Sequence, residues 1–209
     1  MHVLITAGPT REYLDPVRYV SNASSGRIGA ALAAAAVAQG HCVTLVCGPV
    51  ALEPPEVDEL VAVTSAAEML EAVAARFDSC DVFIAAAAVA DFRPAARAGR
   101  KLKKGEGKVT LELEPTADIL AEMSRRKTGQ ILVGFCLESE DLAARARSKL
   151  EAKGLDLVVA NSPEAIAAQR QDALLITRDG ACEHLTQVTK DALAARVLAA
   201  VAAARRSPD

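Results

Sequence analysis

Residues 10–32 read TREYLDPVRYVSNASSGRIGAAL, a stretch dense in hydrogen-bonding side chains set between a hydrophobic run and an alanine-rich one. It ends in Ser24, Ser25 and Gly26, small residues at the start of a helix, where free backbone N–H groups and the helix dipole favour a phosphate or carboxylate. Glycines entering a helix beneath a sheet also serve close packing, so the spacing alone leaves both uses open. A second group, RKLKKGEGK, carries Arg100, Lys101, Lys103, Lys104 and Lys108. Such a run is commonly a solvated loop. Here it follows Asp91 at the end of a central strand, and its two glycines would let it close as a flap over a polyphosphate. Lys149 and Lys153 lie four apart on one helical face, among Arg147 and Glu151, which by spacing alone reads as a solvated face. Asp118, after Pro115, suits a helix cap or a ligand contact equally.

These residues need a frame, and the hydrophobic pattern supplies one. HVLIT, CVTLVCG (42–48), DVFIAAAAVADF running into a loop, QILVGF and DLVVAN are short apolar runs of the kind buried on both faces of a parallel sheet. Between them lie helical patterns: one from Gly26 closed by Gly40, one over 66–77 opened by the Ser65/Glu68 capping box, one from about Ala117, and one over 140–152. The strictly alternating KVTLELE (108–114) predicts a further strand with one wet or partner-facing side. DALLITRDGACEHL predicts a hairpin turning at Asp179–Gly180, and Thr189 caps a final helix that leaves 204–209 as a frayed tail. The fold class is α/β: a mostly parallel central sheet flanked by helices, with a small late antiparallel hairpin. The 209 residues make one domain. Ligands in such sheets bind beyond the carboxyl ends of the strands, which selects loops 7–26, 48–57, 86–105, 136–139 and 161 onward.

Composition narrows the function. A net charge of −3 provides no field for nucleic acid, and no apolar run reaches membrane-spanning length. The five cysteines, Cys42, Cys47, Cys80, Cys136 and Cys182, have no metal-ligand spacing and read as buried reduced thiols of a cytoplasmic protein. A nicotinamide enzyme needs an acidic residue after the second strand, where this chain has Cys47-Gly48-Pro49, and Tyr13 and Tyr19 lack a lysine four residues on. Redox chemistry is disfavoured.

Six motifs in order, TAGPTREYLDPVRYVSNASSGRIG, AAAVADFRP, KLKK, TADIL, VGF and ARSKLEAKGLDLVVAN, resemble bacterial phosphopantothenoylcysteine synthetase, the synthetase domain of bifunctional coenzyme A biosynthesis proteins. The resemblance covers residues 3–161. It implies a Rossmann-like homodimer that joins 4'-phosphopantothenate to L-cysteine with CTP and Mg²⁺. The carboxylate would attack the α-phosphate to give an acyl-cytidylate, which the amine of cysteine then opens. By this resemblance Asn22 and Lys101 are catalytic; Arg18, Asn22, Ser24, Ser25 and Gly26 meet the acid substrate. Ala85, Ala86, Ala87, Asp91, Lys101, Thr116, Ala117, Asp118, Ile119, Phe135, Lys149 and Lys153 meet the nucleotide. Mg²⁺ would ride on the phosphates, with no dedicated protein ligands. The chain starts at the synthetase's first strand, so no flavin is expected in it, although a flavin-dependent decarboxylase is an expected associate. It departs from the family at 166–173, IAAQRQDA in place of a Phe-x-Ser-Asp-x-Asn segment, and at FCLES in place of FAAET, which keeps Glu138. The same ligase using ATP, or a nucleotide-binding module without catalysis, are the alternatives. Dimerisation would use the exposed side of the 108–114 strand.

Overall fold

Val3, Leu4, Ile5 and Ala7 are all buried, although adjacent side chains of a strand point to opposite faces, so β1 (His2–Ala7) must be covered on both sides. A computed structural model, which describes residues 1–105, 107–166 and 168–206, shows how. The chain continues through β2 (Arg11–Tyr13), β3 (Tyr19–Ser21), α1 (Arg27–Ala38), β4 (Cys42–Cys47), β5 (Glu59–Ala62) and α2 (Ala66–Ala74). Next come β6 (Val82–Ala85), β7 (Phe92–Pro94), β8 (Leu113–Pro115), α3 (Ile119–Arg126), β9 (Ile131–Leu137) and α4 (Leu142–Ala152). It closes with β10 (Leu157–Asn161), β11 (Arg170–Thr177), β12 (Cys182–Thr189) and α5 (Lys190–Arg206). Eight strands form one sheet in the order β12-β11-β10-β9-β6-β1-β4-β5, parallel from β10 to β5, with β11 and β12 added antiparallel at one edge.

α1 and α5 cover one face, packing Leu32, Ala33, Ala36, Leu193, Val197 and Leu198 onto Val3, Ile5 and Val43. α2, α3 and α4 cover the other, where Leu4, Met69, Met123, Leu132 and Leu150 join Phe77 and Phe83, two rings meeting edge to face with centroids 6.0 Å apart. β1 is the switch point: the chain winds outward from it through β4 to β5 on one side and through β6 to β9 and β10 on the other. Such reversals open a crevice at the carboxyl ends of the strands.

The α/β class, the parallel strands, the Thr177–Cys182 hairpin and the Thr189 cap agree with the sequence, Thr189 Oγ1 accepting from Ala192 N at 3.2 Å. Several expectations need correction. Residues 108–112 are not a strand. Alternation supplied two faces but no strand to pair with: beyond one backbone bond, Ala95 N to Glu112 O at 3.0 Å, only Leu113–Pro115 forms a ladder, with Phe92–Pro94. Val109 is consequently 85% exposed. The helix expected over 66–77 stops at Ala74, and the third central strand ends at Ala85, freeing the alanines that follow. Cys42 and Cys182, the first residues of β4 and β12, are exposed, whereas Cys47, Cys80 and Cys136 are buried. Ala204–Arg206 are the last turn of α5 rather than a tail, while 207–209 lie outside the described residues, as does Glu106 of the expected flap.

Candidate functional site

The loops leaving β1 and β6 are stitched together. Thr10 N donates to Ala88 O at 3.4 Å, Ala88 N to Gly8 O at 2.9 Å, and Thr10 Oγ1 accepts from Ala90 N at 2.9 Å. With this base fixed, a cavity of about 790 Å³ opens above the carboxyl ends of β1, β6 and β9. One wall is Asn22–Ile28, the floor is Ala85–Val89, and the opposite wall is Thr116–Leu120 with Phe135–Glu138, Lys149 and Lys153.

The first wall is held by unusual backbone. Gly26, the residue before α1, has φ 74°, a left-handed conformation that an L side chain adopts only with strain, and its missing Cβ would lie 2.7 Å from Val50 Cγ1. Gly29 lets α1 touch β1: a Cβ there would stand 2.4 Å from Ala7 Cβ. Asn22 is fixed by its Nδ2, which donates to Val89 O at 2.9 Å and Ala88 O at 3.4 Å. Its Oδ1 has no partner among the described residues.

On the other wall Asp118 caps α3, Oδ1 accepting from Ala121 N at 3.0 Å, and its Oδ2 pairs with Lys153 Nζ at 2.6 Å. Partial burial works to raise the Asp118 pKa, but the bonds from Lys153 and Ala121 outweigh it and hold the carboxyl below its ordinary value. Lys149 Nζ donates to Phe135 O at 2.5 Å. Burial, and then the neighbouring Lys153 charge, lower the Lys149 pKa. These two lysines are therefore half-buried wall groups, not the solvated face that their spacing suggested. Thr116 Oγ1 donates to Ala90 O at 2.6 Å and Thr116 N to Asp91 O at 2.9 Å, tying this wall to the floor. Burial pushes the Cys136 thiol up, which keeps it protonated.

Asn22, Ser24, Ser25, Gly26, Ala85, Ala86, Ala87, Asp91, Thr116, Ala117, Asp118, Ile119, Phe135, Lys149 and Lys153 thus border one cavity. Arg18 and Lys101 do not. Arg18 turns away because Asp15, a fully buried carboxylate, claims its guanidinium through Nε at 3.0 Å and Nη2 at 2.5 Å. The same carboxylate accepts from Leu102 N at 3.0 Å, and Arg18 Nη2 donates to Leu102 O at 2.5 Å. Asp15 and Arg18 therefore tether the loop that carries Lys101, whose own side chain is exposed. The hydrogen bonds from Leu102, Val17 and Arg18 overcome the effect of burial and hold Asp15 far below the usual carboxylate range. Sequence reasoning missed Asp15, Arg27 and Lys190. Aspartate followed by proline was a turn signal that could have drawn attention to Asp15; nothing local marks Lys190. Among the described residues no group of three or more His, Cys, Asp or Glu could hold a metal. No helix there is long and apolar enough to cross a membrane.

Residues 1–204 match the family model for the DNA/pantothenate metabolism flavoprotein C-terminal domain. The chain is 45% identical over 207 residues to the coenzyme A biosynthesis bifunctional protein CoaBC of Bacillus subtilis, covering 97% of this chain and 51% of that protein. It is 52% identical over 162 residues to a cysteine/cysteine sulfinic acid decarboxylase of an unknown prokaryotic organism, covering 77% of this chain and 45% of that protein. The chain thus spans about half the length of the curated relatives it matches. The crystal structure of the C-terminal domain of a CoaBC protein superposes with a TM-score of 0.84 at 38% identity, covering 96% of this chain and 93% of that one. The chain belongs to the family of DNA/pantothenate metabolism flavoprotein C-terminal domains, the family of the CoaBC carboxyl-terminal half.

Proposed function

We propose that the protein is a phosphopantothenate–cysteine ligase using CTP. The observation that carries this reading is the convergence of Asn22–Gly26, Asp91, Thr116–Ile119, Phe135, Lys149 and Lys153, dispersed along the sequence, around one cavity at the switch point of the sheet. The cavity offers the Phe135 wall above the alanine floor for a base, Asp91 for a ribose hydroxyl, and Ser24–Gly26 for anionic oxygens. The acid's carboxylate oxygen would attack the α-phosphorus of CTP. The bond to the β-phosphate breaks, pyrophosphate leaves and an acyl-cytidylate remains. The amine of cysteine then attacks the acyl carbon, loses a proton and expels CMP, leaving an amide.

Asn22 suits the second step. Its Nδ2 is committed to Val89 O and Ala88 O, which fixes the amide plane, and Oδ1 remains to accept from the attacking amine without adding charge beside an anionic intermediate. Lys101 would act from the tethered loop. Mg²⁺ would enter on the nucleotide's phosphates, since the described residues provide no carboxylate cage for it. Arg18 serves this chemistry through Leu102 rather than by touching substrate. Cytoplasmic location, a homodimer and association with a flavin-dependent decarboxylase, in the same chain or another, accompany the proposal; the name of the Bacillus subtilis relative is that of a bifunctional protein.

The test is mass spectrometry of products after mixing the protein with 4'-phosphopantothenate, L-cysteine, Mg²⁺ and either CTP or ATP. Phosphopantothenoylcysteine with CMP is the expected result. Product with AMP keeps the ligase and replaces the nucleotide; no product from folded protein overturns the enzyme and leaves a binding module.

A further inference from the structure

Four cationic side chains border the cavity: Arg27, Lys149, Lys153 and Lys190. Two are already committed, Lys149 to Phe135 O and Lys153 to Asp118. They brace the wall on which the base and ribose would rest. The other two have no carboxylate partner among the described residues. Arg27 opens α1, whose first turn contains no acidic residue, and its exposed guanidinium makes no hydrogen bond there. Lys190 opens α5 and is half-buried; its ammonium is held by neutral acceptors, Ala165 O at 2.7 Å and Gln171 Oε1. Gln171 is 4% exposed, and its Nε2 has no partner among the described residues. Its amide therefore spends its oxygen on Lys190 and leaves a buried donor without a partner, an arrangement that serves the position of the ammonium better than it serves stability.

Arg27 and Lys190 are near enough to feel one another. Burial, and after it the Arg27 charge, lower the Lys190 pKa. Like charges converging on one cavity raise the energy of the empty site, and a multiply charged anion between them removes that cost. If the base and ribose lie against Phe135, Asp118 and Asp91, the α-phosphate reaches Asn22, and whatever lies beyond it meets Arg27 at the start of α1. Resting on the nucleotide reading above, we infer that Arg27 and Lys190 form a clamp for the β- and γ-phosphates of the triphosphate. They hold the pyrophosphate leaving group as its charge develops. The two residues act at the bond that breaks, whereas Asn22 acts at the one that forms.

Isothermal titration separates the clamp from the nucleotide reading. CTP, CMP and inorganic pyrophosphate, each with Mg²⁺, and 4'-phosphopantothenate are titrated into the wild-type protein and into Arg27→Gln, Lys190→Gln and Lys190→Arg. Loss of one charge-assisted contact is expected to weaken CTP and pyrophosphate about tenfold in both glutamine variants. CMP should stay within about twofold, and Lys190→Arg should restore most of the loss. The exposed Arg27 side chain makes no hydrogen bond or ion pair among the described residues, so Arg27→Gln carries the test if Lys190→Gln fails to fold. Equal losses for CMP and CTP, unchanged pyrophosphate binding, or a loss confined to 4'-phosphopantothenate would each overturn the clamp. A wild-type protein that binds pyrophosphate through these residues but neither nucleotide keeps the clamp and overturns the nucleotide reading instead.

Discussion

Replacing Gly29 with alanine should damage function far more than stability. A Cβ at this position would stand 2.4 Å from Ala7 Cβ and 2.9 Å from Ala7 Cα, and the latter belongs to the backbone of a central strand that cannot yield. Carbon atoms pack at about 3.5–4.0 Å, so α1 must move off β1 by roughly 1 Å. Overpacking of this kind costs about 1–3 kcal/mol. Alanine returns about 1 kcal/mol of helix propensity, leaving a net loss of about 0–2 kcal/mol. The amino end of α1, however, carries Gly26 and Arg27 on the cavity wall. A displacement of about 1 Å at a reacting centre can lower kcat/KM by about 100-fold. Urea unfolding paired with steady-state ligase kinetics reads both quantities. Adding Ala7→Gly removes the 2.4 Å contact but not the 2.9 Å one, so the double variant should recover activity only in part. A Gly29→Ala protein about 1 kcal/mol more stable than wild type, with unchanged kinetics, would refute the claim that this contact sets the wall.

Two further perturbations address the opposite ends of the polar stretch. Asn22→Asp puts a carboxylate beside the anionic intermediate and should lower turnover by at least 100-fold, on the order of the loss of one transition-state hydrogen bond, with little change in the urea midpoint; ordinary turnover would remove Asn22 from the reaction. Asp15→Asn keeps the shape but not the charge that holds Arg18 and Leu102, so it should destabilise the protein at neutral pH and raise the proteolytic sensitivity of the Lys101 loop. Because the folded Asp15 pKa lies below its ordinary 3.8, its contribution is fully present above that value and is lost as pH falls toward the folded one. The urea midpoints of wild type and Asp15→Asn should therefore converge in acid; a difference that stays constant with pH would show that Asp15 acts by shape alone.

How much could be read beforehand depended on what each residue's neighbours were. β1, β4, β9 and β10 were legible because strands buried on both faces must be continuous apolar runs. The short β2, β3, β5, β7 and β8 lack that pattern and arise from what lies beside them. The alternation of 108–112 was real, but alternation reports two unlike surfaces and says nothing of a hydrogen-bonding partner. Asn22 and Asp91 fall in loops that the carboxyl ends of the central strands single out, whereas Asp118, which follows β8 of a separate two-stranded sheet, was placed at the cavity only by the family resemblance. Arg18 could not be placed, since its fate was decided by Asp15 three residues away and by a loop more than 80 residues on. Lys190 was invisible for the same reason: it borders the same cavity as Arg27 only because α5 packs on α1.

That packing also sets an order of assembly. Everything needed for the floor and the far wall lies before Asn161, whereas Lys190 arrives with α5, whose Leu193, Val197 and Leu198 dock on the alanine face of α1. During synthesis from the amino end, a chain that has emerged through β10 would already present Phe135, Asp118 and Asn22, yet α1 would still expose Leu32, Ala33 and Ala36 to water. The last helix therefore covers the apolar back of α1 and delivers a cation to the front of the cavity in one docking event, so that completion of the core and completion of the site coincide.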